Sequence, residues 1–322
     1  MRKEVLFAII FGTIFGLVTA FGVWRLNSSI SSKNQPDNAQ SSPIPSGSPT
    51  SNSGLTIAKP SELTVLRDSS VKIAGITKAD SWVVASGEKT DFIIKAGSDS
   101  SFEVDSELVG GLNQVMISSF TSEEKEERSE NILTLIYSSN FPSAVVASAS
   151  PQSSPTDSIR ERVEDKIKET QNAPTAYIGS ITDISENTLN IKNSKDEIQQ
   201  VAIQDDVAYT NEITKKEIKF NDLAIGDFII AMGYRNSNTV LHAKRIVVTN
   251  RPTEPHRKVY YGKVINILGK VLTLTINGEN VELTFPKTWK GPNIKEIDLD
   301  DQVIAIIDTE NKNEIRTIEI TK

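Results

Sequence analysis

Ile178-Gly179-Ser180-Ile181-Thr182-Asp183-Ile184, followed by Thr188-Leu189-Asn190-Ile191, returns later in the chain as Tyr261-Gly262-Lys263-Val264-Ile265-Asn266-Ile267 and Val271-Leu272-Thr273-Leu274. Each copy alternates apolar and polar residues, the period of a strand with one buried face. Further on come Asp222-Leu223-Ala224-Ile225-Gly226-Asp227-Phe228-Ile229-Ile230-Ala231 and Asp298-Leu299-Asp300-Asp301-Gln302-Val303-Ile304-Ala305. The copies close on Arg245-Ile246-Val247-Val248-Thr249 and Thr317-Ile318-Glu319-Ile320-Thr321. Four matching elements in one order mark a duplication, and two copies predict tandem domains, at 176–250 and 259–322, instead of a solenoid. Sheets this small lose their exposed edges by closing into barrels. Gly226-Asp227 reads as a turn feeding a buried strand, with Gly free to take φ > 0. The second copy has Asp300-Asp301-Gln302 where that Gly turn is expected.

Upstream, residues 55–138 hold short apolar runs separated by turn signals: 63–66, 71–76, 82–84, 92–94, 102–104, 114–120 and 132–137. Runs of this length and spacing predict an antiparallel β-sandwich. Trp82 is expected between its sheets. The charge run at 123–130 reads as a solvated hairpin loop without calcium-loop spacing. Residues 27–54, and again 139–156, are rich in Ser and Pro and too poor in large apolar residues to offset chain entropy, so they read as linkers. Between the second linker and the first repeat, residues 157–172 form a short amphipathic helix, with Ile159, Val163 and Ile167 on one face. The predicted class is thus all-β, a sandwich plus two small tandem barrels, with this linker helix and one further helix at the N-terminus.

That further helix is residues 5–24, VLFAIIFGTIFGLVTAFGVW, which carry no charge. At 1.5 Å per residue the stretch spans about 30 Å, the hydrocarbon thickness of a bilayer. Arg2 and Lys3 precede it, so the positive-inside rule keeps the N-terminus cytoplasmic and sends the remainder outward. Val18-Thr19-Ala20 has the small-residue spacing of a signal-peptidase site, but the apolar run continues through Trp24, which favours an uncleaved single-pass anchor (residues 1–26) in the cell membrane.

The chain has 35 Lys and Arg against 42 Asp and Glu, a net charge of -7. The first 25 residues are net positive, so the exported part is more acidic still and unsuited to polyanions; no nucleic-acid partner is expected. With no cysteine, disulfides, thiolate metal sites and a Cys nucleophile are excluded. His242 and His256 stand too far apart in sequence to suggest a His metal site. Asp205-Asp206 and Asp298, Asp300 and Asp301 are the densest acidic clusters, and both fall in turns, where Asp serves the backbone. No nucleophile elbow, GxGxxG or P-loop is present. The chain therefore reads as a non-enzyme without cofactor or metal.

Val71-Lys72-Ile73-Ala74-Gly75-Ile76-Thr77, then Ser100-Ser101-Phe102 and Leu108 to Ile117, resemble the immunoglobulin-like domains of bacterial surface proteins. The repeats, with Leu241-His242-Ala243-Lys244-Arg245-Ile246-Val247-Val248 closing the first, resemble a family of small β-barrel domains in bacterial envelope proteins that has no established activity. Both resemblances imply fold more than function. Barrel faces that bind saccharides carry aromatics, and the C-terminal candidates are Tyr177, Tyr209, Tyr234, Tyr260, Tyr261 and Trp289. Trp289, in Lys287-Thr288-Trp289-Lys290-Gly291-Pro292, stands out because a loop Trp beside Lys and Gly is poorly placed for core packing; Tyr260 and Tyr261 accompany it as ligand candidates. The expected role is structural or adhesive: an anchored extracytoplasmic envelope protein presenting β-domains to cell wall, surface polysaccharide or an envelope protein. An envelope polymer-processing hydrolase and an accessory subunit of a membrane complex are the alternatives.

Overall fold

In the computed structural model, which describes residues 54–121, 128–142 and 173–321, the burial pattern of each strand reports what covers it. Strands β1 (Thr56–Lys59), β2 (Val65–Leu66), β3 (Ser70–Ile76), β4 (Trp82–Ser86), β5 (Asp91–Lys95), β6 (Ser101–Glu107), β7 (Gly111–Phe120) and β8 (Ser129–Tyr137) form two sheets, ordered β1-β3-β6 and β2-β8-β7-β4-β5. Along β3 and β6 buried residues alternate with more exposed ones, as in a sheet with one dry and one wet face. Along β4 and β7 the alternation fails. Residues 83–86 and 115–120 are buried without a break, so the five-stranded sheet is covered on both faces.

Its inner face supplies Val83, Ala85, Val115, Ile117, Leu133 and Leu135, which meet Ile73, Phe102 and Val104 of the other sheet. Trp82 is not among them. Alternation along β4 sends Val83 and Ala85 inward and Trp82 and Val84 outward, so Trp82 lies outside the sandwich, with Lys95 Nζ 4.7 Å from its ring centroid. This corrects the expectation of a central Trp.

The second half of the chain folds twice into one pattern. The first copy comprises β9 (Pro174–Ser185), β10 (Thr188–Lys192), β11 (Ile198–Ala202), β12 (Ala208–Asn211), β13 (Lys216–Glu217), β14 (Phe228–Arg235) and β15 (Leu241–Val248). They form a sheet ordered β11-β10-β9-β14-β15-β12-β13, and β11 pairs β15 as well, so five of the strands return on themselves. The second copy, β16 (Arg257–Leu268), β17 (Val271–Ile276), β18 (Glu279–Thr284), β19 (Gln302–Asp308) and β20 (Glu314–Thr321), is a closed barrel ordered β16-β17-β18-β20-β19. Even the irregularities repeat. The long first strand bulges at Thr182 in one copy and at Ile265 in the other.

The turn before the fourth barrel strand also repeats, in a register that the sequence pattern misplaces by two residues. Buried Leu223 corresponds to buried Ile297, and Gly226 (φ 98) corresponds to Asp300 (φ 73). Asp227 Oδ2 accepts the Ala224 N–H at 2.9 Å, and Asp301 Oδ2 accepts the Asp298 N–H at 2.9 Å. The second copy has kept the turn and placed an Asp in the left-handed position, which Asp tolerates better than most residues.

Both barrels dock on the outer face of the five-stranded sheet, and they do so with the same positions. On β9 and β14 the register pairs Ala176 with Met232 and Ile178 with Ile230. On β16 and β19 it pairs Val259 with Ile306 and Tyr261 with Ile304. The first four residues pack with Val65, Ile136 and Phe141, and the second four with Val84, Met116 and Phe120. At about 1.5–3 kcal/mol per fully buried apolar side chain, each seam contributes on the order of 10 kcal/mol.

Phe141 is 1% exposed and lies 5.7 Å from Tyr234, so the first residues of the expected 139–156 linker belong to the seam. The expected helices at 5–24 and 157–172 lie outside the described residues, as does the expected 27–54 linker but for Gly54. Among the described residues there is no α-helix, two 3-10 turns (Phe220–Asp222 and Ile294–Glu296), and no helix long and apolar enough to cross a membrane.

Candidate functional site

Two arginines of the second barrel reach the sandwich, and Arg128 of the sandwich donates back to the Val259 carbonyl at 2.9 Å. Arg257, its side chain only 7% exposed, meets Glu88 Oε1 at 2.6 Å and donates to the carbonyls of Ser86 and Gln114 at 2.8 and 2.9 Å. Arg316 donates through Nε and Nη2 to the two oxygens of Asp91, at 2.9 and 3.2 Å, and to the Gly87 carbonyl at 3.0 Å. Asp91, 6% exposed, also accepts from Ser86 Oγ at 2.6 Å and Thr317 Oγ1 at 3.3 Å. A bidentate pair with every lone pair engaged is the favourable kind of buried ion pair. Asp91→Ala leaves the guanidinium with the Gly87 carbonyl and solvent in the groove and is expected to cost about 2 kcal/mol in urea unfolding; a loss under about 0.5 kcal/mol would contradict this account of the seam.

Beside that pair lies a groove of about 400 Å³, walled by Lys89 and Asp91 of the sandwich and by the 286–291 loop, Asp308, Glu314 and Arg316 of the barrel. Trp289 stands in its wall. The Trp289 N–H reaches the Pro286 carbonyl at 3.3 Å, and Nε1 donates to the Pro292 carbonyl at 2.8 Å. The ring meets Phe285 edge-on, centroids 5.0 Å apart. Gly291 lies so close that a Cβ there would fall 2.1 Å from the indole. The loop is thus built around the Trp and packs it against the barrel core, contrary to the expectation that a loop Trp here is poorly placed for packing. Glycine at 291 is what lets the backbone approach. Burial works against the charge of Asp308, but hydrogen bonds from Asn311 and from the backbone N–H of Glu310 and Asn311 hold its carboxyl below the usual carboxylate range.

Trp289, Tyr260 and Tyr261 do not converge. Tyr260 and Tyr261 point to opposite sides of β16. Tyr261 faces Phe120 across the seam, centroids 5.6 Å apart. Tyr260 packs on the barrel core with Lys258 Nζ 5.1 Å from its ring centroid. Neither lines the groove.

A second cavity, of about 590 Å³, lies in the first barrel between β12–β13 and β15, and Asn140 of the sandwich borders it. Tyr209 and Phe220 lie 6.2 Å apart in its wall, and burial pushes the Tyr209 phenol up. Arg245 Nη2 donates to Thr210 Oγ1 at 3.1 Å. Phe220 escaped the sequence reading. The available signal was length: residues 203–219 join the third barrel strand to its 3-10 turn, where the second copy needs only 285–293.

The acidic clusters serve turns and surface pairs. Asp206 is bonded by Lys244 at 2.6 Å, which holds its carboxyl down. Asp300 pairs with Lys263 at 2.7 Å, and Asp301 is the turn cap described above. His242 contacts Asn236 at 3.2 Å, and His256 contacts Glu310 at 3.2 Å. Among the described residues no three His, Cys, Asp or Glu side chains are grouped to hold a metal ion.

No protein-family pattern matches the chain, and no curated protein matches it. Among solved structures, similarity extends to a multidomain protein with nucleic acid binding domains from Streptococcus pneumoniae (12% identity, 46% of this chain and 45% of that one, TM-score 0.16). It extends also to the periplasmic chaperone SfaE (12% identity, 61% and 100%, TM-score 0.21). A third is the SGBP-B protein of a Bacteroides ovatus mixed-linkage glucan utilization locus, solved with a heptasaccharide (14% identity, 84% and 70%, TM-score 0.19). The chain spans less than half of the first of these. Likenesses at such scores bear on neither fold family nor function.

Proposed function

We propose that this chain is a single-pass envelope protein, anchored by residues 5–24 with its N-terminus cytoplasmic, whose β-domains lie outside the membrane and bind a wall or surface polysaccharide. In this reading the sandwich is immunoglobulin-like, the two repeats are barrels of the bacterial envelope type, and the role is adhesive or structural. The observation that carries it is the groove beside Trp289. An aromatic fixed in advance by Phe285, Gly291 and the Pro292 carbonyl offers stacking area to a sugar ring at little entropic cost. Lys290 and Arg316 stand beside Asp308 and Glu314, so positive and negative groups balance and hydroxyls find both donors and acceptors.

The test is saturable binding of the full chain in detergent to isolated cell wall and to purified surface polysaccharide. Trp289→Ala is expected to weaken binding at least tenfold. Lys290→Ala, on an exposed side chain, is expected to weaken it about threefold while leaving the melting temperature unchanged. Absence of saturable binding, or full retention of binding in both variants, would sink the reading.

A further inference from the structure

The two barrels are elaborated at the same joint. Between the third barrel strand and the 3-10 turn, the first inserts the β12–β13 hairpin and the second inserts the loop bearing Trp289. The two cavities described above both open beside that joint, against the last strand of their barrel. Their equipment matches as well. One has Tyr209 packed near Phe220, and the other has Trp289 packed on Phe285. One has Arg245 oriented by Thr210, and the other has Arg316 oriented by Asp91. Lys219 and Glu217 line the first, where Lys290 and Glu314 line the second. Residues of the sandwich border each, Asn140 in one case and Lys89 and Asp91 in the other.

We infer that the cavity lined by Tyr209, Phe220 and Arg245 is a second saccharide site of the same ligand class as the Trp289 groove, so that one polysaccharide chain is gripped at two points on one body. The inference rests on the proposed function and extends it. An aromatic flank suits the apolar face of a sugar ring, and a guanidinium with a nearby carboxylate suits its hydroxyls. The two sets sit at the same joint but on different strand positions, since Arg245 faces Met232 in its ladder while Arg316 is the residue skipped between Thr317 and Ile315, and a polymer of repeating units thereby has two places to sit. Both barrels are docked on one sheet, so the second contact is intramolecular, and avidity on a long chain exceeds single-site affinity by 10² or more where the chain spans both sites.

The experiment uses the full chain in detergent and cell-wall glycan strands fractionated by length. The disaccharide is expected to bind with a stoichiometry of two, and long strands to bind about 100-fold more tightly than the disaccharide. Tyr209→Leu, which keeps apolar volume, and Glu217→Lys, on an exposed side chain, are each expected to lower the disaccharide stoichiometry to one. Each is also expected to cut long-strand affinity at least tenfold with an unchanged melting temperature. A stoichiometry of one in the unaltered protein, lost with Trp289→Ala, would overturn the second site and leave the proposed function standing. Long-strand affinity unaffected by either variant would do the same. No binding of either length would overturn both.

Discussion

Expressed alone, residues 54–142 will not remain monomeric. Val65, Val84, Met116, Phe120, Ile136 and Phe141 are each 2% exposed or less in the intact protein, and all six sit in the clusters shared with the barrels. Removing the barrels uncovers them as two apolar patches on one sheet face, the kind of exposed surface that drives association. Light scattering coupled to size exclusion is expected to show dimers or larger species for the fragment, with bound hydrophobic dye, while residues 54–322 run as a single dye-free species. The fragment carrying Val84→Thr, Met116→Lys and Phe120→Thr together should associate less and bind less dye, since one of the two uncovered patches is removed while the inner core at Val83, Ala85, Val115 and Ile117 is untouched. A monodisperse unaltered fragment that binds no dye would show that the sheet does not depend on its outer cover.

Gly179→Ala is expected to be one of the two most damaging single methyls in the first barrel, with Gly233→Ala, whose Cβ would fall 2.0 Å from the His242 carbonyl oxygen. A Cβ at Gly179 would fall 2.2 Å from the Lys192 carbonyl oxygen and 2.7 Å from its carbon. Both are backbone atoms, so no rotamer change relieves the clash, and β10 must shift against β9 where the bulge already fixes their register. A loss above about 3 kcal/mol is expected, at the upper end of overpacking effects. Its counterpart Gly262 is milder. There the nearest atoms are Ile276 Cγ1 at 2.7 Å and the Thr275 carbonyl oxygen at 2.8 Å, and Gly262→Ala should cost about 1–2 kcal/mol. Urea unfolding of the two variants decides the order; equal losses would mean that the strand relaxes more easily than its hydrogen bonds suggest.

The strand content, the duplication and the sandwich runs were legible because alternation is a local property. Ser101-Phe102-Glu103-Val104 declares its own faces. The docking of the barrels was not legible in the same way, although its trace was present: Val115 to Phe120 and Trp82 to Ala85 fail to alternate, which a sheet wet on one side does not permit. Trp82 misled for that reason, since a Trp in a β-sandwich sequence invites the inner face while parity along β4 assigns it the outer one. The turn at Asp298-Leu299 misled because identical letters outweighed the burial that places Ile297 opposite Leu223. For the ligand candidates, the residue types of Trp289 and Tyr209 could be read, but their neighbours could not. Phe285 and Pro292 reach Trp289 through loop geometry, and Arg245 reaches Thr210, beside Tyr209, through a parallel strand pairing that leaves no local pattern.

In the proposed orientation the chain enters the body at β1, and any pull on a bound polymer travels from the barrels through their seams into the sandwich and out along that strand. The links in this series are unequal. The β3–β6 ladder has seven register pairs, and the β1–β3 ladder has three with an irregularity between the second and third. If the proposed anchor and ligand hold, tension would reach β1 as the weaker ladder and peel it before the β3–β6 pairing, making that strand a mechanical fuse.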